Sequence, residues 1–345
     1  MKAAVMLKAN DLVIQAVKDL PAPSDYQCLC RNLYGSACTG TDRKLLKDRI
    51  PWGRVSYPAV LGHETVGEVV AAGGKVKHFK VGDLVLRPVY GYAGQQVHGL
   101  NNEFGGFSEY GMITDCKAML ADGLRSTDFH GYAIYQMKIP AHWKNHPESV
   151  VFITMKETFS WIRQLAPLYG KSVGIIGAGA VGMFYARFAA LMFASEVTVL
   201  ARSARGEERA RQCGADKFIV LDKNEKPEGL FDVLIDAAGV MADINKFLPC
   251  VKPGGTYAIY GLGEKMDANI PGFGSGVIFS FHSPAETDPL VHDTCIALVE
   301  KGIIDLKQFH STVFPFEKLP EAFEMIERKE EFKPVFTFKV PAQVF

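Results

Sequence analysis

A short glycine-rich run between an apolar strand and a helix is the part of this sequence whose spacing points most directly to chemistry. A strand is predicted over 172–177 and a helix over 181–193, inside a strand–helix–strand unit. Glycines in that context allow a tight turn, a close approach of the backbone to a pyrophosphate, and close packing of helix on strand, while the helix N-terminus binds phosphate. We therefore predict a dinucleotide site formed by Gly177, Gly179, Ala180, Val181 and Gly182.

The end of the next predicted strand, 196–201, bears on which dinucleotide is bound. NAD-preferring sites place an acidic residue there to bind the ribose 2′-hydroxyl. This chain has two guanidinium groups and a hydroxyl instead, and arginine pairs with phosphate bidentately. The pattern favours NADP and leaves NAD open, because exposed arginines are also common as plain surface charges. The residues assigned to the cofactor here are Ala201, Arg202, Ser203 and Arg205.

The elements that must position these residues differ between the two parts of the chain. Up to about residue 110, short β-like runs separated by Gly/Pro turns predict a barrel-like or sandwich domain. From about residue 150, strands and helices alternate, which predicts a doubly wound parallel sheet. A helix over 289–301 and a last strand over 335–340 are predicted to return to the first domain.

Composition limits the class of protein further. The 345 residues are 48% hydrophobic and 22% charged, which fits two globular domains. Lys plus Arg and Asp plus Glu number 38 each, so no net charge attracts nucleic acid or an anionic membrane. No signal peptide or apolar stretch of roughly 20 residues is found, and the seven scattered cysteines are typical of reduced thiols. We expect a soluble, cytoplasmic protein with neither nucleic-acid nor membrane partners.

Three further stretches carry side chains suited to metal binding and proton transfer. They are Ala-Cys-Thr-Gly-Thr-Asp at 37–42, Gly-His-Glu-Thr-Val-Gly-Glu at 62–68, and Lys-Glu-Thr-Phe-Ser at 156–160. Together with the glycine pattern, they make the chain similar to the medium-chain dehydrogenase/reductase superfamily, specifically its zinc-dependent alcohol and polyol dehydrogenases. The resemblance covers nearly the whole chain: 105–110 is similar to the family's return strand and 252–255 to its late sheet turn.

The resemblance implies an α/β fold of two domains. A GroES-like, β-rich catalytic domain is expected over 1–150, completed by 286–345. A Rossmann dinucleotide-binding domain with a doubly wound parallel sheet is expected over 151–285. The active site of this family lies in the cleft between the two domains. We expect the chain to form a homodimer or homotetramer.

The resemblance also implies roles for individual side chains. His63 and Glu64 match the family's central ligand pair, and Glu157 matches the carboxylate that the polyol branch supplies as a ligand or close beside the metal. Thr41 matches the hydroxyl that relays the substrate proton, and Asp42 the acid beside it. A catalytic zinc takes about three protein ligands and keeps one open position for the substrate oxygen, which it polarises.

The first ligand is where this chain departs most from the family, which reads Cys-Gly-Thr/Ser-Asp. Aligning Gly40, Thr41 and Asp42 puts Thr39 in the ligand position and Cys38 one residue early. Either the loop bulges and Cys38 binds the metal, or the thiolate is lost. Because a thiolate is a far better zinc ligand than a neutral hydroxyl, the metal set is predicted to include Cys38.

Two other departures concern the stretches after the ligand pair. Many zinc-dependent members carry four closely spaced cysteines for a structural zinc, but 88–105 contains none, so one catalytic zinc and no structural zinc is predicted. Residues 121–136 exceed what the family needs. This segment is interpreted as part of a pocket, a subunit contact or a surface excursion, and its aromatic residues are Phe129, His130, Tyr132 and Tyr135.

The function predicted from these observations is hydride transfer between NADP(H) and a small secondary alcohol or polyol, or the corresponding carbonyl compound, with a catalytic zinc. One alternative is a zinc-free NADPH-dependent reductase of an activated double bond or carbonyl. Another is a catalytically inactive nucleotide-binding regulator or structural protein. The retained His63, Glu64 and Glu157 argue against the first alternative, since a zinc-free enzyme has no use for that cluster.

Overall fold

The chain divides into two compact units, which we describe from a computed structural model. The structure describes residues 1–50, 53–165, 167–221, 230–239, 244–261, 276–281 and 287–339. The first unit comprises Met1–Ile153 and His310–Phe345, and the second comprises Thr154–Phe309. No helix in the described parts of the chain is both long and apolar enough to cross a membrane.

The first unit is built mainly of strands. Its elements before residue 141 are β1 (Lys2–Lys8), β2 (Asp11–Ala16), β3 (Gln27–Ser36), α1 (Thr41–Leu46), β4 (Ala59–Val60), β5 (Thr65–Ala72), β6 (Leu84–Leu86), β7 (Gln96–Val97), β8 (Leu100–Asn102), β9 (Tyr110–Thr114), α2 (Cys116–Ala121) and β10 (Lys138–Ile139). The elements of the second unit are α3 (Phe152–Ile162, which starts two residues before the boundary), β11 (Ser172–Ile176), α4 (Ala180–Leu191), β12 (Glu196–Ala201), α5 (Glu207–Gln212), β13 (Lys217–Val220), β14 (Phe231–Asp236), α6 (Ile244–Phe247), β15 (Val251–Ile259), β16 (Ile278–Phe281) and α7 (His292–Glu300).

The chain then returns to the first unit. Its last elements are β17 (Val313–Pro315), α8 (Leu319–Glu327) and β18 (Val335–Thr337). Short 3-10 helices connect the larger elements at Ser126–Asp128, Gly131–Tyr135, Ala141–Asn145, Pro147–Val151, Ala204–Gly206, Leu248–Cys250, Asp288–Val291, Leu306–Phe309 and Phe316–Lys318.

Two sheets make up the first unit. One has the strand order β2-β1-β4-β8-β7, and the other β10-β6-β5-β3-β18-β17, with β9 also paired to β3. On β3, Cys28 and Cys30 lie in one buried cluster with Val69, Val85 and Ile113. The β-rich character predicted for this part of the chain is confirmed.

Helix α8 shows how the end of the chain joins this unit. Its buried residues Leu319, Ala322, Phe323 and Ile326 have the spacing of one face of an amphipathic helix. They pack in the core cluster that also contains Phe107 and Phe336. Phe336 lies on β18, so helix α8 and the last strand share one core with the first unit.

The second unit has one six-stranded sheet in the order β13-β12-β11-β14-β15-β16, and all its strand pairs are parallel. Numbered from β11, this order reads 3-2-1-4-5-6, the order of the Rossmann fold, and confirms the predicted doubly wound sheet. The sheet's core includes Ile176, Leu234 and Tyr257.

The return of the chain lies later than the predicted residue 286. Residues 287–309 belong to the second unit. Phe309 stacks on Phe184 at 3.8 Å between ring centroids, and the Arg187 guanidinium donates to the Ile303 carbonyl at 2.5 Å. These contacts with α4 hold the α7 region on the second unit, so the first unit resumes only at His310.

Candidate active site

The pairing of three strands brings the candidate metal ligands of the first unit together. In the antiparallel pair of β3 and β5, Gly35 lies opposite Thr65, and just beyond, the Ser36 amide donates to the Glu64 carbonyl at 3.0 Å. Continuing this register brings residue 38 next to residues 62 and 63. Cys38 thus meets the Gly-His-Glu segment because β3 and β5 pair.

Strand β18 approaches the same point from the other side of β3. Val335 lies opposite Ser36, and the Ala37 amide donates to the Pro334 carbonyl at 3.3 Å. The same register continued outward places Lys333 beside Cys38. Three segments that are far apart in sequence therefore meet where β3 ends.

The structure assembles one candidate metal group among the residues it describes. Ligand atoms of Cys38, His63 and Glu64 all lie within 4.8 Å of one another. His63 and Glu64 are buried and Cys38 is half-buried. Donor atoms on a tetrahedral zinc lie roughly 3–4 Å apart, so a thiolate, an imidazole and a carboxylate at this spacing fit the ion.

Thr41 and Asp42 lie in the turn that begins at Cys38. The Thr41 amide points at Cys38 Sγ at 3.4 Å, and Asp42 Oδ2 accepts a hydrogen bond from the Cys38 amide at 2.8 Å. Asp42 is fully buried, and its other oxygen, Oδ1, lies 3.2 Å from His63 Nδ1. Asp42 therefore contacts both the Cys38 loop and the His63 ring.

The ionisation of His63 reflects this position. Burial lowers the pKa of His63, but the carboxylate of Asp42 and the side chain of Cys38 outweigh burial, so the pKa lies well above its ordinary value. A carboxylate on one ring nitrogen of a histidine orients the other toward a metal. Asp42 is placed to do this for His63.

Lys333 is a residue of this site that the sequence analysis missed. Its ammonium pairs with Glu64 Oε2, and the two residues are only 2% and 1% exposed. No local motif marks Lys333, because it reaches Glu64 only through the pairing of β18 with β3. A buried charge pair of this kind costs desolvation, and leaving one partner alone costs more.

Glu157 lies in the second unit, on α3, and is half-buried. Its neighbour Lys156 forms a buried ion pair with Asp288 at 2.8 Å. Burial raises the pKa of Tyr185 well above its ordinary value, and the nearby Tyr260 and Glu157 add to this. The Glu157 carboxylate thus lies close enough to Tyr185 to affect its pKa, within the second unit.

The glycine turn has the predicted form. Gly177 follows β11 with φ +109°, in the region that favours glycine, and Gly179 is the residue before α4. A Cβ on Gly182 would come within 2.0 Å of the Gly177 carbonyl oxygen, so only glycine lets α4 pack this closely. A Cβ on Gly179 would meet no atom within 4 Å among the described residues, which leaves room for a ligand. The remaining predicted residues of this turn, Ala180 and Val181, begin α4.

The arginines lie on the loop beside that turn. Ala201 is the buried last residue of β12, whereas Arg202, Ser203 and Arg205 are exposed. A Cβ on Gly206 would lie 2.7 Å from the Ala178 methyl group, so this loop touches the glycine turn directly. The structure therefore brings the predicted phosphate-binding residues and the glycine turn to the same edge of the sheet.

Comparison with known proteins identifies the family to which the chain belongs. Residues 26–122 match the family model "Alcohol dehydrogenase GroES-like domain", and residues 180–282 match "Zinc-binding dehydrogenase". The chain belongs to the zinc-dependent medium-chain dehydrogenase/reductase superfamily, as predicted, and is an oxidoreductase of the alcohol and polyol dehydrogenase type.

Individual relatives agree with this assignment. The chain is 27% identical to "Sorbitol dehydrogenase" of Gallus gallus, over 96% of this chain and 94% of that protein. It is 30% identical to "Alcohol dehydrogenase 13" of Catharanthus roseus, over 71% of this chain and 70% of that protein. Its fold matches alcohol dehydrogenase TADH from Thermus sp. ATN1 with a TM-score of 0.77 at 22% identity, over 98% of this chain and 100% of that one.

Proposed function

We propose that this protein transfers a hydride between NADP(H) and a small secondary alcohol or polyol, or the corresponding carbonyl compound, at a site with one catalytic zinc. The observation that carries the proposal is the group formed by Cys38, His63 and Glu64, whose ligand atoms lie within 4.8 Å of one another. Names of the matched relatives, a sorbitol dehydrogenase and an alcohol dehydrogenase, support this substrate class.

Cys38, His63 and Glu64 would hold the metal. A bound zinc would polarise the substrate oxygen and stabilise it as an alkoxide. His63 Nδ1 faces Asp42 at 3.2 Å, which leaves Nε2 for the metal. Lys333 holds Glu64 in place through their buried ion pair.

Thr41 Oγ1 is the group that passes the hydroxyl proton of the substrate. Thr41 begins α1 and its amide lies against Cys38 Sγ at 3.4 Å, so its side chain starts from the turn that carries the first ligand. Asp42 is fully buried beside His63 and acts by orienting that ring. These positions favour Thr41 for proton transfer and Asp42 for positioning.

The glycine turn and the arginine loop would bind the dinucleotide. Backbone N–H groups at the start of α4 bind the pyrophosphate, and Gly179 lets it approach. Arg202 and Arg205 lie where the sequence lacks the acidic residue that NAD-preferring sites use, so a 2′-phosphate is the ligand they fit.

Turnover measured with NADPH and NADH over a panel of ketones and polyols tests this function. We expect turnover with secondary alcohols or polyols, a preference for NADP(H), and loss of activity after removal of metal by a chelator, restored by Zn²⁺. Reduction of activated double bonds in metal-free protein would favour the zinc-free alternative instead. Binding of the nucleotide with no turnover on any substrate would favour the inactive regulator.

A further inference from the structure

The segment 121–136, which begins at the end of α2, contacts the candidate metal site through the side chain of Tyr132. Its first part, about residues 121–129, is mostly exposed. Its second part, the 3-10 helix Gly131–Tyr135 with Gln136, packs onto the unit, with Tyr132 9% and Gln136 3% exposed. The segment is therefore a surface excursion at its start and part of the core at its end.

The hydrogen bonds of the backbone carbonyls around His63 show how this segment contacts the candidate ligands. The carbonyls of Leu61, Gly62 and Glu64 accept hydrogen bonds from backbone amides at 2.8, 2.6 and 3.0 Å. The carbonyl of His63 accepts instead from the hydroxyl of Tyr132, at 2.9 Å. A side chain from the long segment thus completes the hydrogen bonding of the stretch that carries two candidate ligands.

Tyr132 is itself held firmly. Arg87 Nη1 donates to the Tyr132 hydroxyl at 3.2 Å, and the Arg87 guanidinium lies 5.5 Å from the Tyr132 ring centroid. The Tyr132 ring also contacts Phe104 at 5.8 Å between centroids, and Phe104 contacts the His63 ring at 5.1 Å. Tyr132 reaches His63 both through its hydroxyl and through an intervening aromatic ring.

The same segment also contacts the cysteine-free stretch 88–105, through Tyr92. Gln136 Oε1 accepts from the Tyr92 hydroxyl at 2.8 Å and from the Thr114 amide at 2.9 Å, and Gln136 Nε2 donates to the Arg87 carbonyl at 3.0 Å. The Tyr92 ring stacks on His130 at 4.8 Å. A buried amide with its donors and acceptor in use specifies one arrangement of the chain around it.

From this geometry we infer that Tyr132 is a positioning residue for His63, and that the segment 121–136 serves to hold it there. The inference rests on the proposed metal site, since the group that His63 is positioned for is the zinc. Outer partners of metal ligands commonly change metal affinity by about 10–100-fold when they are removed. Because Tyr132 contacts the His63 carbonyl and not its ring nitrogens, the lower end of that range is expected.

The test compares Tyr132→Phe with Tyr92→Phe. Both remove one buried hydroxyl from the same aromatic cluster, and Tyr92 bonds Thr114 and Gln136 without touching His63. We expect Tyr132→Phe to raise the dissociation constant for Zn²⁺ about tenfold and to shift the visible spectrum of the cobalt-substituted protein. Tyr92→Phe is expected to lower the melting temperature by a similar amount and to leave both metal readouts unchanged. Equal metal affinities in the two variants would overturn the inference.

A second measurement separates this inference from the proposed function. In metal-free protein labelled at histidine Cε1, the resonance of His63 is identified with His63→Gln. We expect it to shift or broaden in Tyr132→Phe and not in Tyr92→Phe. If wild-type protein binds neither Zn²⁺ nor Co²⁺, the metal-site proposal fails, and this resonance alone decides the positioning role. An unchanged His63 resonance in Tyr132→Phe would then overturn it. If Tyr132→Phe proves much less stable than Tyr92→Phe, His130→Ala serves as the variant, because it removes the acceptor of the Tyr132 amide and the ring that stacks on Tyr92 but keeps the Tyr132 hydroxyl.

Discussion

At the scale of single residues, the pair of Lys333 and Glu64 shapes the candidate site. Both side chains are almost fully buried, so neither charge is screened by water. Replacing one partner of such a pair leaves an uncompensated charge in the interior, at a cost of about 3–5 kcal/mol. Lys333 therefore holds Glu64 in position before any metal binds.

Replacing Lys333 by Met tests this role. We expect Lys333→Met to lower the free energy of unfolding by about 3 kcal/mol in metal-free protein. Added Zn²⁺ should restore part of that loss, because a cation at the site compensates Glu64. Urea unfolding with and without the metal measures both effects. Lys318→Met is the control, since Lys318 pairs with Glu321 at 2.7 Å on the surface and is expected to cost at most about 1 kcal/mol. Equal losses in the two variants would contradict a special role for Lys333.

The arginine loop gives a second prediction at this scale. Arg202→Glu is expected to weaken binding of NADPH by about 2 kcal/mol, roughly 30-fold, because a phosphate loses a charged donor and meets a like charge. Binding of NADH should change little. Nucleotide fluorescence titration measures both constants. Arg211→Glu on α5, an exposed arginine paired with Glu207, is the matched control for the charge change. Equal weakening of NADPH and NADH would show that Arg202 does not contact a 2′-phosphate.

At the scale of elements, two glycines of the turn from β11 into α4 have different roles. Gly182 matters for stability, and Gly179 for dinucleotide binding. Gly182 has no space for a methyl group, whereas Gly179 faces open space. Gly182→Ala is expected to destabilise the second unit by roughly 3 kcal/mol, because α4 must move off β11. Gly179→Ala should leave the melting temperature nearly unchanged and weaken dinucleotide binding at least about tenfold, since the methyl group occupies the approach of the pyrophosphate. Thermal unfolding and nucleotide titration distinguish the two, and the reverse pattern would contradict this assignment.

Elements with a clear local pattern could be predicted from the sequence, and their ends could not. Strand β12 has the predicted bounds, and the glycine turn lies where its motif places it. Helix α3 runs over Phe152–Ile162, and no local motif of the sequence marks its ends. Its first residues, Phe152 and Ile153, are apolar residues that would suit a strand as well, and they are buried by tertiary packing. Strand β6 ends at Leu86, since Arg87 has φ +60° and precedes a proline.

Two contacts with the candidate ligands, those of Lys333 and Tyr132, could not be predicted from the sequence, for one physical reason. Lys333 and Tyr132 reach the candidate ligands only through long-range packing, Lys333 by pairing of β18 with β3 and Tyr132 by the fold of the segment after β9. Neither has a spacing to its partner that a motif could reveal. The chemistry of a thiolate predicts Cys38 as a ligand, and the register of β3 and β5 explains how Cys38 reaches His63, while its binding of metal stays a prediction.

At the scale of the whole molecule, the two units carry different parts of the proposed chemistry. The first unit holds Cys38, His63 and Glu64, and the second holds the glycine turn, the arginine loop and Glu157. Each part is held by the sheet of its own unit, the first by pairing of β3 with β5 and β18, and the second by the parallel order around β11. We propose that the first unit binds a single zinc through Cys38.

The zinc content per chain of dialysed protein, measured by elemental mass spectrometry, tests whether Cys38 binds the metal. We predict one zinc per chain in the wild type and in Thr39→Ala. In Cys38→Ala we predict almost none, with turnover lost together with the metal, because the site loses its thiolate. Two tightly held zincs in the wild type, no zinc at all, or a Cys38→Ala variant that keeps its metal would contradict the account.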